Sequence, residues 1–424
     1  MAETTDLILR MNPWWIGKRI EKINGLKHRF IFKDLERYLH TRQIIALIGL
    51  RRTGKTILMY QLIDKLLENG IEPKNILYFS FDEILAKDPQ IIQQILSIYE
   101  KEILRRELKN VYIFFDEVQY IQNWQAILKR YYDLIMGIKF IVSGSSSPHV
   151  KVGVESLAGR IYEFEIKPLT FKEFLYLRGF EVKDILLQKI DLERLFYKYI
   201  IHGGLPEIIF EEDFEKVKRY VNSIIEKIIF IDIPKAFDIE NPFTLREIIK
   251  ILSEKPGILV DYNTLASTLN ISRTTASKYI KYLEQAFMIK LLANYRGSEY
   301  AIARKAKKVY FTSHTLLIPS FEDEEELLKS INFIVENIIV NQLDAKFFWR
   351  NRLGEVDIIH KKIPVEIKFG EKVNKKDLKN IIRFQRGYGN DKAIIITKDI
   401  EREEVIENIK VTCIPIIKFL LEYV

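Results

Sequence analysis

The sequence has little cysteine, no long apolar run and no low-complexity segment. Its 424 residues include one cysteine, Cys413, which excludes an internal disulfide framework and a cysteine-ligated zinc site and suits a reducing compartment. No apolar run reaches the roughly 20 residues that cross a bilayer. The N-terminus lacks the basic and apolar regions of a signal peptide. We therefore expect a cytoplasmic protein without a membrane segment.

The composition is that of a folded, multidomain chain. Hydrophobic residues make up 48% and charged residues 29%, which excludes a disordered protein, and the length suits two to four domains. The net charge of +8 agrees with a nucleic-acid partner and equally with an ordinary basic surface. Charge alone therefore does not identify a partner.

Strands and helices alternate from about residue 43 to 166, which predicts a parallel α/β sheet. Short apolar runs typical of buried parallel strands are "QIIALIG", "NILYFSF", "NVYIFFD" and "KFIVSG". The pattern is mainly helical over 169–240. Residues 241–320 indicate helix, short helix, turn, longer helix, hairpin and connector, and 321–424 a small α/β domain. We expect domain boundaries near residues 168, 240 and 320.

The stretch "GLRRTGKT" matches the phosphate-binding pattern G-x-x-x-x-G-K-[ST]. A predicted strand precedes it and an amphipathic helix follows it, which is the context the pattern requires. Glycines let backbone N–H groups converge on phosphate oxygens, Lys55 reaches the β- and γ-phosphates, and Thr56 offers its hydroxyl to Mg²⁺. The expected nucleotide-binding residues here are Gly49, Leu50, Arg51, Arg52, Thr53, Gly54, Lys55 and Thr56. The alternative is a glycine-rich turn with a surface lysine.

Polar side chains also follow two later strands. "VYIFFDEVQ" brings Asp116 to the carboxyl end of a strand, where it would join the Mg²⁺ shell, and Glu117 is the natural base for the attacking water. Ser143 ends "KFIVS" and can sense the γ-phosphate. The alternatives are a helix-capping acid pair and an ordinary loop serine. The further strand "NILYFSF" between the two motifs indicates a P-loop ATPase with an added central strand.

The stretch "DYNTLASTLNISRTTASKYIKYLEQAFMIKLL" fits a winged helix. Its apolar residues have the spacing of a small shared core: Leu265, Leu269, Ile271, Ala276, Ile280 and Leu283. The residues expected to face a DNA major groove are Arg273, Thr274, Ser277, Lys278 and Lys281. "ARKAKK", residues 303–308, would contact phosphates. The alternative is a protein-binding or spacer module.

The stretch "GEVDIIHKKIPVEIKFG", residues 354–370, predicts a β-hairpin that turns at Lys361 and Lys362. In that register Asp357 faces Glu366 and Glu355 faces Lys368, all on one face. Two opposed carboxylates destabilise a sheet unless a cation lies between them, and Mg²⁺ suits such ligands. We also expect Pro364 to lie at a bulge or to lack a neighbouring strand on one side.

A resemblance covers nearly the whole chain. The stretches "NPWW", "GLRRTGKT", "FFDEVQ", "SGSSS", "LAGRIYEFEIKPLTFKEF" and "GGLPE" occur in the order seen in the archaeal ATPase family of AAA+-like P-loop proteins. This resemblance implies an ATPase core over 1–168, a helical lid over 169–240, a winged helix and connector over 241–320, and a nuclease-like domain over 321–424. It also implies that Arg160 reaches a neighbouring subunit's nucleotide, the alternative being a structural ion pair. "GGLPE" resembles the lid motif of STAND-type signalling ATPases, which implies that Pro206 lies against adenine.

The hairpin resembles the PD-(D/E)xK nuclease superfamily, in which Asp357, Glu366 and Lys368 would be catalytic. Glu336, on the preceding helix, matches that fold's extra acid, so the implied metal ligands are Asp357, Glu366 and Glu336. We therefore expect an enzyme that uses ATP and Mg²⁺, binds DNA and couples hydrolysis to a nuclease-like domain. The alternative is a nucleotide-switched signalling or interaction protein whose nuclease-like domain is inactive. A homo-oligomer or a partner protein is expected in either case.

Overall fold

A computed structural model describes residues 2–82, 90–145, 157–237, 239, 241–296, 306–370, 373, 375–389 and 391–424. The chain divides into two compact units. The first holds residues 1–167, 231–238 and 285–287, and the second holds 168–230, 239–284 and 288–424. Segment 231–238 therefore belongs to the first unit although its neighbours along the chain belong to the second. In the part of the chain that the structure describes, no helix is long and apolar enough to cross a membrane.

The first unit is built on a five-stranded parallel sheet. Its strands are β1 Ile44–Ile48, β2 Ile76–Ser80, β3 Val111–Asp116, β4 Ile138–Gly144 and β5 Ile161–Glu165. Their order across the sheet is β2-β3-β4-β1-β5. Strand β4 thus lies between the strand before "GLRRTGKT" and the strand that ends at Asp116. This order confirms the predicted parallel sheet, but the strand between the two motif strands is β4, and "NILYFSF" forms the edge strand β2.

Helices cover both faces of this sheet. They are α1 Ala2–Met11, α2 Phe32–Tyr38, α3 Lys55–Glu68, α4 Ile91–Ile98 and α5 Trp124–Leu134. Along β1, Ile44 and Ala46 pack into one buried apolar cluster, and Ile45 and Leu47 into another. Side chains alternate between the faces of a strand, so a strand that is buried on both faces needs a continuous apolar run.

The N-terminal segment seals the edge of this sheet at β2. The indole N–H groups of Trp14 and Trp15 both donate to Ile76 O, at 3.1 and 2.8 Å. The Asn12 side-chain amide donates to Tyr78 O at 2.8 Å, and its oxygen accepts from Tyr78 N at 2.7 Å. An edge strand with unpaired backbone groups can pair with another chain. Here the "NPWW" segment satisfies several of those groups instead.

The second unit combines many helices with one mixed sheet. The helices are α6 Phe171–Leu177, α7 Lys189–His202, α8 Phe214–Lys227, α9 Pro242–Glu254, α10 Tyr262–Thr268, α11 Arg273–Gln285, α12 Glu324–Lys329, α13 Ile331–Gln342, α14 Lys375–Tyr388 and α15 Ile416–Glu422. The strands are β6 Ile289–Asn294, β7 Lys308–Phe311, β8 Phe347–Arg350, β9 Glu355–His360, β10 Ile363–Lys368, β11 Lys392–Thr397, β12 Arg402–Ile406 and β13 Ile409–Pro415. Their order is β12-β13-β11-β10-β9-β8-β6-β7.

Helices α10 and α11 lie where the sequence predicts a short helix, a turn and a longer helix. Leu265, Ala276, Ile280 and Leu283 are buried, as their spacing predicts. Asp261 caps α10 by accepting from Asn263 N at 2.8 Å. The hairpin of β6 and β7 follows, and β6 continues into parallel pairing with β8. One sheet therefore runs through the region where we expect the boundary between the third and fourth domains.

The hairpin of β9 and β10 has the predicted register. Lys361 and Lys362 both have positive φ, at 50° and 66°, as a tight two-residue hairpin turn requires. Residues 363, 364 and 365 pair with 360, 359 and 358. Pairing between β10 and β11 begins at Val365, so Pro364 precedes that ladder and its missing N–H breaks no bond on that side.

Candidate functional site

The loop between β1 and α3 has the backbone that a phosphate cradle needs. Gly49 has φ +141°, and a Cβ added to it would lie 2.6 Å from Ile166 O. Gly54, with φ +94°, stands directly before α3 and is its N-cap. Only glycine adopts both conformations without strain. These glycines let the loop turn into the N-terminus of a 14-residue helix, where unpaired N–H groups favour anions.

The Lys55 ammonium lies inside this loop. Its Nζ donates to Gly49 O at 3.0 Å and to Leu50 O at 2.9 Å, and the residue is only 4% exposed. Burial lowers the pKa of Lys55, and the charge of Glu117 opposes that effect. A buried cation whose hydrogen bonds go to neutral carbonyls gains from an anionic ligand. Lys55 is thus placed to meet phosphate charge at the loop.

Asp116 accepts hydrogen bonds from side chains of α3, β2 and β4 at this edge of the sheet. Thr56 Oγ1 donates to Asp116 Oδ2 at 2.7 Å, and Tyr78 OH donates to the same oxygen at 2.9 Å. The Ser143 hydroxyl bonds the other carboxylate oxygen. Ser143 meets Asp116 because β4 lies between β1 and β3, so its carboxyl end falls between the two motifs. The structure therefore brings together Thr56, Asp116 and Ser143, as the sequence predicts.

Glu117 is held beside Asp116 by a left-handed backbone conformation with φ 57°. Its N–H donates to Ser143 Oγ at 3.0 Å, and its carboxylate accepts from Ser145 Oγ at 3.2 Å and from the Gln119 amide. Burial raises the pKa of Glu117, and the Lys55 charge opposes the rise. A carboxylate with a raised pKa is suited to accept a proton from water near neutral pH.

The residues at this edge fit Mg²⁺ bound together with a nucleotide. Within the described ranges, no group of three or more His, Cys, Asp and Glu side chains is arranged as a metal cage. Mg²⁺ seldom needs such a cage, because it keeps several waters and takes one or two protein oxygens plus substrate phosphates. The Thr56 hydroxyl and the Asp116 carboxylate, 2.7 Å apart, are such a pair of oxygens.

Arg51 forms a contact that the sequence does not predict. Its guanidinium donates to both carboxylate oxygens of Asp232, from Nε at 2.8 Å and from Nη2 at 2.7 Å. Nη2 also donates to Tyr120 OH at 3.1 Å. Asp232 is 181 residues away in sequence and lies in segment 231–238. An acid inside the apolar run "IIFIDIP" is the only sequence signal for it.

Two residues implied by resemblance lie elsewhere. Arg160 pairs with Asp133, Nε to Oδ1 at 2.8 Å, and its carbonyl accepts from Ile44 N. It therefore stands at the start of β1, about 16 Å along the strand from the cradle of its own chain. Pro206 begins a short 3₁₀ turn in the second unit. In that unit Gly204 N donates to Thr315 Oγ1 at 3.1 Å, which gives "GGLPE" a packing role.

The second unit contains the acidic residues of the β9–β10 hairpin. Asp357 Oδ2 accepts from Ile367 N at 3.0 Å, so the strands are joined there through a side chain. Glu366 is 4% exposed, and its Oε2 has no hydrogen-bond partner within the described residues. Burial and the charge of Asp357 raise the pKa of Glu366 well above its usual range. Lys368 lies 3.5 Å from Glu366 and 3.3 Å from Asp377.

The position of Lys308 is the main difference between the structure and the acidic face predicted for the β9–β10 hairpin. Its Nζ lies 2.6 Å from Glu355 Oε1 and 3.7 Å from Glu336 Oε1. Glu355, which the hairpin register places opposite Lys368, therefore contacts Lys308. Tyr310 OH donates to Glu336 at 2.5 Å, and burial with the Asp357 charge raises the pKa of Glu336 to about 7. The pairing of β6 with β8 joins the hairpin that contains Lys308 to the sheet of these acids.

The residues expected to contact DNA share one exposed face of α11. Arg273, Thr274, Ser277, Lys278 and Lys281 are all exposed. In "ARKAKK", residues 303–305 lie outside the described residues, and Lys308 is buried at 4% exposure. Lys308 is therefore not a surface phosphate contact. Exposure of these side chains is compatible with groove binding, and DNA binding stays a prediction.

Comparison with known proteins agrees with the geometry of the first unit. Residues 41–175 match the family model described as an AAA domain, and 193–320 and 332–417 match two models described as domains of unknown function. An uncharacterized protein of Haemophilus influenzae is 26% identical over 419 residues, covering 92% of this chain and 96% of that protein. An uncharacterized protein of Methanocaldococcus jannaschii, MJ1637, is 26% identical over 425 residues, covering 91% and 88%.

Among solved structures, the Walker-type ATPase paby2304 of Pyrococcus abyssi is 14% identical, with a TM-score of 0.47, covering 71% of this chain and 97% of that chain. The sequence relatives include a bacterial and an archaeal protein, so the similarity extends beyond archaea. The AAA match contains the phosphate cradle, Asp116, Glu117 and Ser143. The first unit therefore contains a domain similar to the P-loop domains of the AAA family.

Proposed function

We propose that this protein is a Mg²⁺-dependent ATP hydrolase whose second unit acts on DNA. The hydrolase proposal rests on the hydrogen bond from Thr56 Oγ1 to Asp116 Oδ2, which is 2.7 Å long. This bond joins the cradle to the acid pair of Asp116 and Glu117. Without that contact the glycine loop and the acids would be two separate features. With it, the side chains that would bind phosphate, metal and water lie at one edge of the sheet.

In this proposal the loop N–H groups and Lys55 bind the β- and γ-phosphates. Thr56 and Asp116 hold Mg²⁺, which supplies charge neutralisation on the phosphate oxygens when bound. Glu117 accepts the proton of the attacking water, and Ser143 fixes the acid pair through both Asp116 and the Glu117 N–H. Breaking the γ-phosphate bond then yields ADP and phosphate.

Two further residues belong to the proposed nucleotide site by resemblance. Arg160 acts on the nucleotide of a neighbouring copy, since it stands at the opposite end of β1 from its own cradle. Pro206 lies against adenine, as the resemblance of "GGLPE" implies. The protein would then function as a homo-oligomer.

Phosphate release from Mg-ATP tests the hydrolase proposal. We expect turnover by the wild type and a loss of at least about a hundredfold in Lys55→Ala, because that ammonium is buried at the cradle. Lys65→Ala, at a half-buried position in the C-terminal turn of α3, is the matched control and should keep wild-type turnover. Equal turnover in Lys55→Ala and wild type would contradict the proposal.

In the second unit, α10, α11 and the β6–β7 hairpin act as a winged helix that binds DNA. The basic side chains on the exposed face of α11, Arg273, Lys278 and Lys281, carry this proposal. Binding should weaken steeply with salt as phosphate contacts release counterions. Lys278→Ala with Lys281→Ala should lower the salt slope by about two, whereas Lys250→Ala, also exposed, should not. Affinity that is independent of salt would exclude this role.

Asp357, Glu366 and Lys368 form the nuclease-like site of the proposal. The orphaned Glu366 Oε2 and the mutual repulsion of the two carboxylates favour a divalent cation between them. Glu336 would be the third ligand only after leaving Lys308 and Tyr310. We expect Mn²⁺-dependent DNA cleavage by the wild type and none by Asp357→Asn with Glu366→Gln.

The ammonium of Lys308 favours a second candidate function. It already neutralises part of the acidic face, at 2.6 Å from Glu355 and 3.7 Å from Glu336. In this alternative the second unit binds a partner, cuts nothing, and is switched by the nucleotide state of the first. Absence of cleavage by the wild type on duplex, single-stranded and branched DNA, together with intact ATP turnover, would select this candidate.

A further inference from the structure

A buried contact ties the phosphate cradle to segment 231–238. Arg51 lies between Gly49 and Lys55 in the cradle, and it donates to both oxygens of Asp232. The two side chains are only 9% and 5% exposed. Planar two-point pairing of this kind is the strongest arrangement that a guanidinium makes with a carboxylate. The contact is a built feature of the site and not an incidental surface pair.

Tyr120 joins the same contact from the acid side of the site. This residue follows Glu117 by three positions, and its hydroxyl accepts from Arg51 at 3.1 Å. The Lys235 ammonium lies 4.4 Å from the centre of the Tyr120 ring. Segment 231–238 is therefore held from both nucleotide motifs, by Arg51 from the cradle and by Tyr120 from the turn after Glu117.

The backbone of the segment changes its helical type at Asp232. Asp232 ends a π-helical turn over Ile228–Asp232, and a short helix, Ile233–Ala236, follows it. Pro234 removes one backbone donor at this junction. Single π-turns are wide and occur often at functional sites. Along the chain, the segment is flanked by α8 and α9 of the second unit.

The charges around Arg51 show why a nucleotide would affect this contact. The Arg51 and Asp232 charges both act on the buried Lys55, and Arg51 also acts on Glu117. Both members of the pair are therefore within electrostatic range of the groups that would meet the γ-phosphate. A γ-phosphate offers the guanidinium the same planar pair of oxygens that Asp232 offers. It also repels the carboxylate of Asp232.

We propose that Arg51 is a γ-phosphate sensor that exchanges Asp232 for ATP, and that Asp232 is the positioning residue that holds it otherwise. This inference rests on the proposed ATP hydrolase function. ATP, but not ADP, competes for the guanidinium and releases segment 231–238. Phosphate loss after hydrolysis restores the contact. The nucleotide state thereby reaches the chain segment that leads into the second unit.

The test compares affinities for a non-hydrolysable ATP analogue and for ADP, both with Mg²⁺. Asp232→Asn keeps the shape of the side chain but weakens its hold on Arg51, so the preference for the ATP analogue over ADP should rise about tenfold. Arg51→Met with Asp232→Asn removes the sensor and both charges together, so no buried charge is left unpaired. In that variant the preference should fall about tenfold below the wild type. Both affinities are measured on the same variant. A general effect of the substitution on folding therefore cancels in the ratio of the affinity for the ATP analogue to that for ADP.

The outcomes separate this inference from the hydrolase proposal. A preference that is unchanged in both variants, or that falls in Asp232→Asn, overturns the sensor inference while wild-type turnover leaves the hydrolase proposal standing. Failure of the wild type to bind either nucleotide overturns both. As a control, Arg37→Met changes an exposed arginine on α2 of the first unit and should leave the ratio as in the wild type.

Discussion

Glu117→Gln is the substitution for which the structure gives the most specific expectation. Glutamine has the same side-chain length as glutamate and keeps one oxygen that can accept a hydrogen bond from Ser145. In the wild type, Ser145 Oγ lies 3.2 Å from the Glu117 carboxylate. Glutamine cannot accept a proton from water. General-base catalysis contributes about 10²- to 10⁴-fold, or roughly 3 to 5 kcal/mol of the barrier. We therefore expect turnover to fall by that factor while nucleotide affinity changes less than about threefold.

The free energy of unfolding of Glu117→Gln should be equal to or higher than that of the wild type. Because burial raises the pKa of Glu117, the folded protein prefers the protonated acid, and the carboxylate costs stability as the pH rises through the folded pKa. A neutral amide removes this cost near pH 7. For the same reason, wild-type turnover should decline with acidification at a higher pH than an ordinary glutamate would give.

Steady-state phosphate release, nucleotide titration and denaturant unfolding measure the three quantities. Glu163→Gln, an exposed change on β5 of the same sheet, is the matched control and should leave all three unchanged. Turnover above a tenth of the wild-type value in Glu117→Gln would refute the assignment of the base. A loss of turnover accompanied by a lower free energy of unfolding would indicate a structural role instead.

Three further changes test the packing and charges of the second unit. Lys308→Met should lower the free energy of unfolding by about 3–5 kcal/mol, since Glu336 and Glu355 lose their cation. Substitution of the neighbouring residue, Lys307→Met, is the control. A decrease of less than about 1 kcal/mol in Lys308→Met would contradict a stabilising role of this contact. The pKa of Glu336 is raised to about 7, so protonation stabilises the folded wild type as the pH falls from 7 to 4.5. Over that range, measured with a metal chelator present, the free energy of unfolding of the wild type should rise by up to roughly 3 kcal/mol relative to that of Glu336→Gln. An unchanged difference across that range would exclude the raised pKa. Gly204→Ala should destabilise the protein in urea by about 1–3 kcal/mol, because a Cβ there would collide with the hydroxyls of the 313–315 connector.

Local patterns predict much of the first unit. The cradle, the acid pair and the parallel strands each occupy a short stretch whose spacing fixes its geometry, and the AAA match supports them. The position of Ser143 beside Asp116 follows from strand order alone. The register of the β9–β10 hairpin is also predictable, because a two-residue turn and a side-chain period of two leave one pairing that buries the apolar face.

Contacts between distant stretches are not predictable in this way. The pairing of Arg51 with Asp232 spans 181 residues and depends on a segment that returns to the first unit. The burial of Lys308 among acids follows from the pairing of β6 with β8, which joins sheets that the sequence suggests are separate. No short-range period or motif encodes either contact. Both alter the expected chemistry, one at the cradle and one at the acidic face.

In the proposed hydrolase, Asp116 and Thr56 bind the Mg²⁺ with which ATP is hydrolysed in the first unit. Phosphate release from ATP as a function of Mg²⁺ concentration, for the wild type and for Asp116→Asn, tests this role directly. We predict saturable activation of the wild type by Mg²⁺ and, in the variant, turnover reduced by at least about a hundredfold with a higher Mg²⁺ requirement. Turnover that does not depend on Mg²⁺, or that survives in Asp116→Asn, would contradict it.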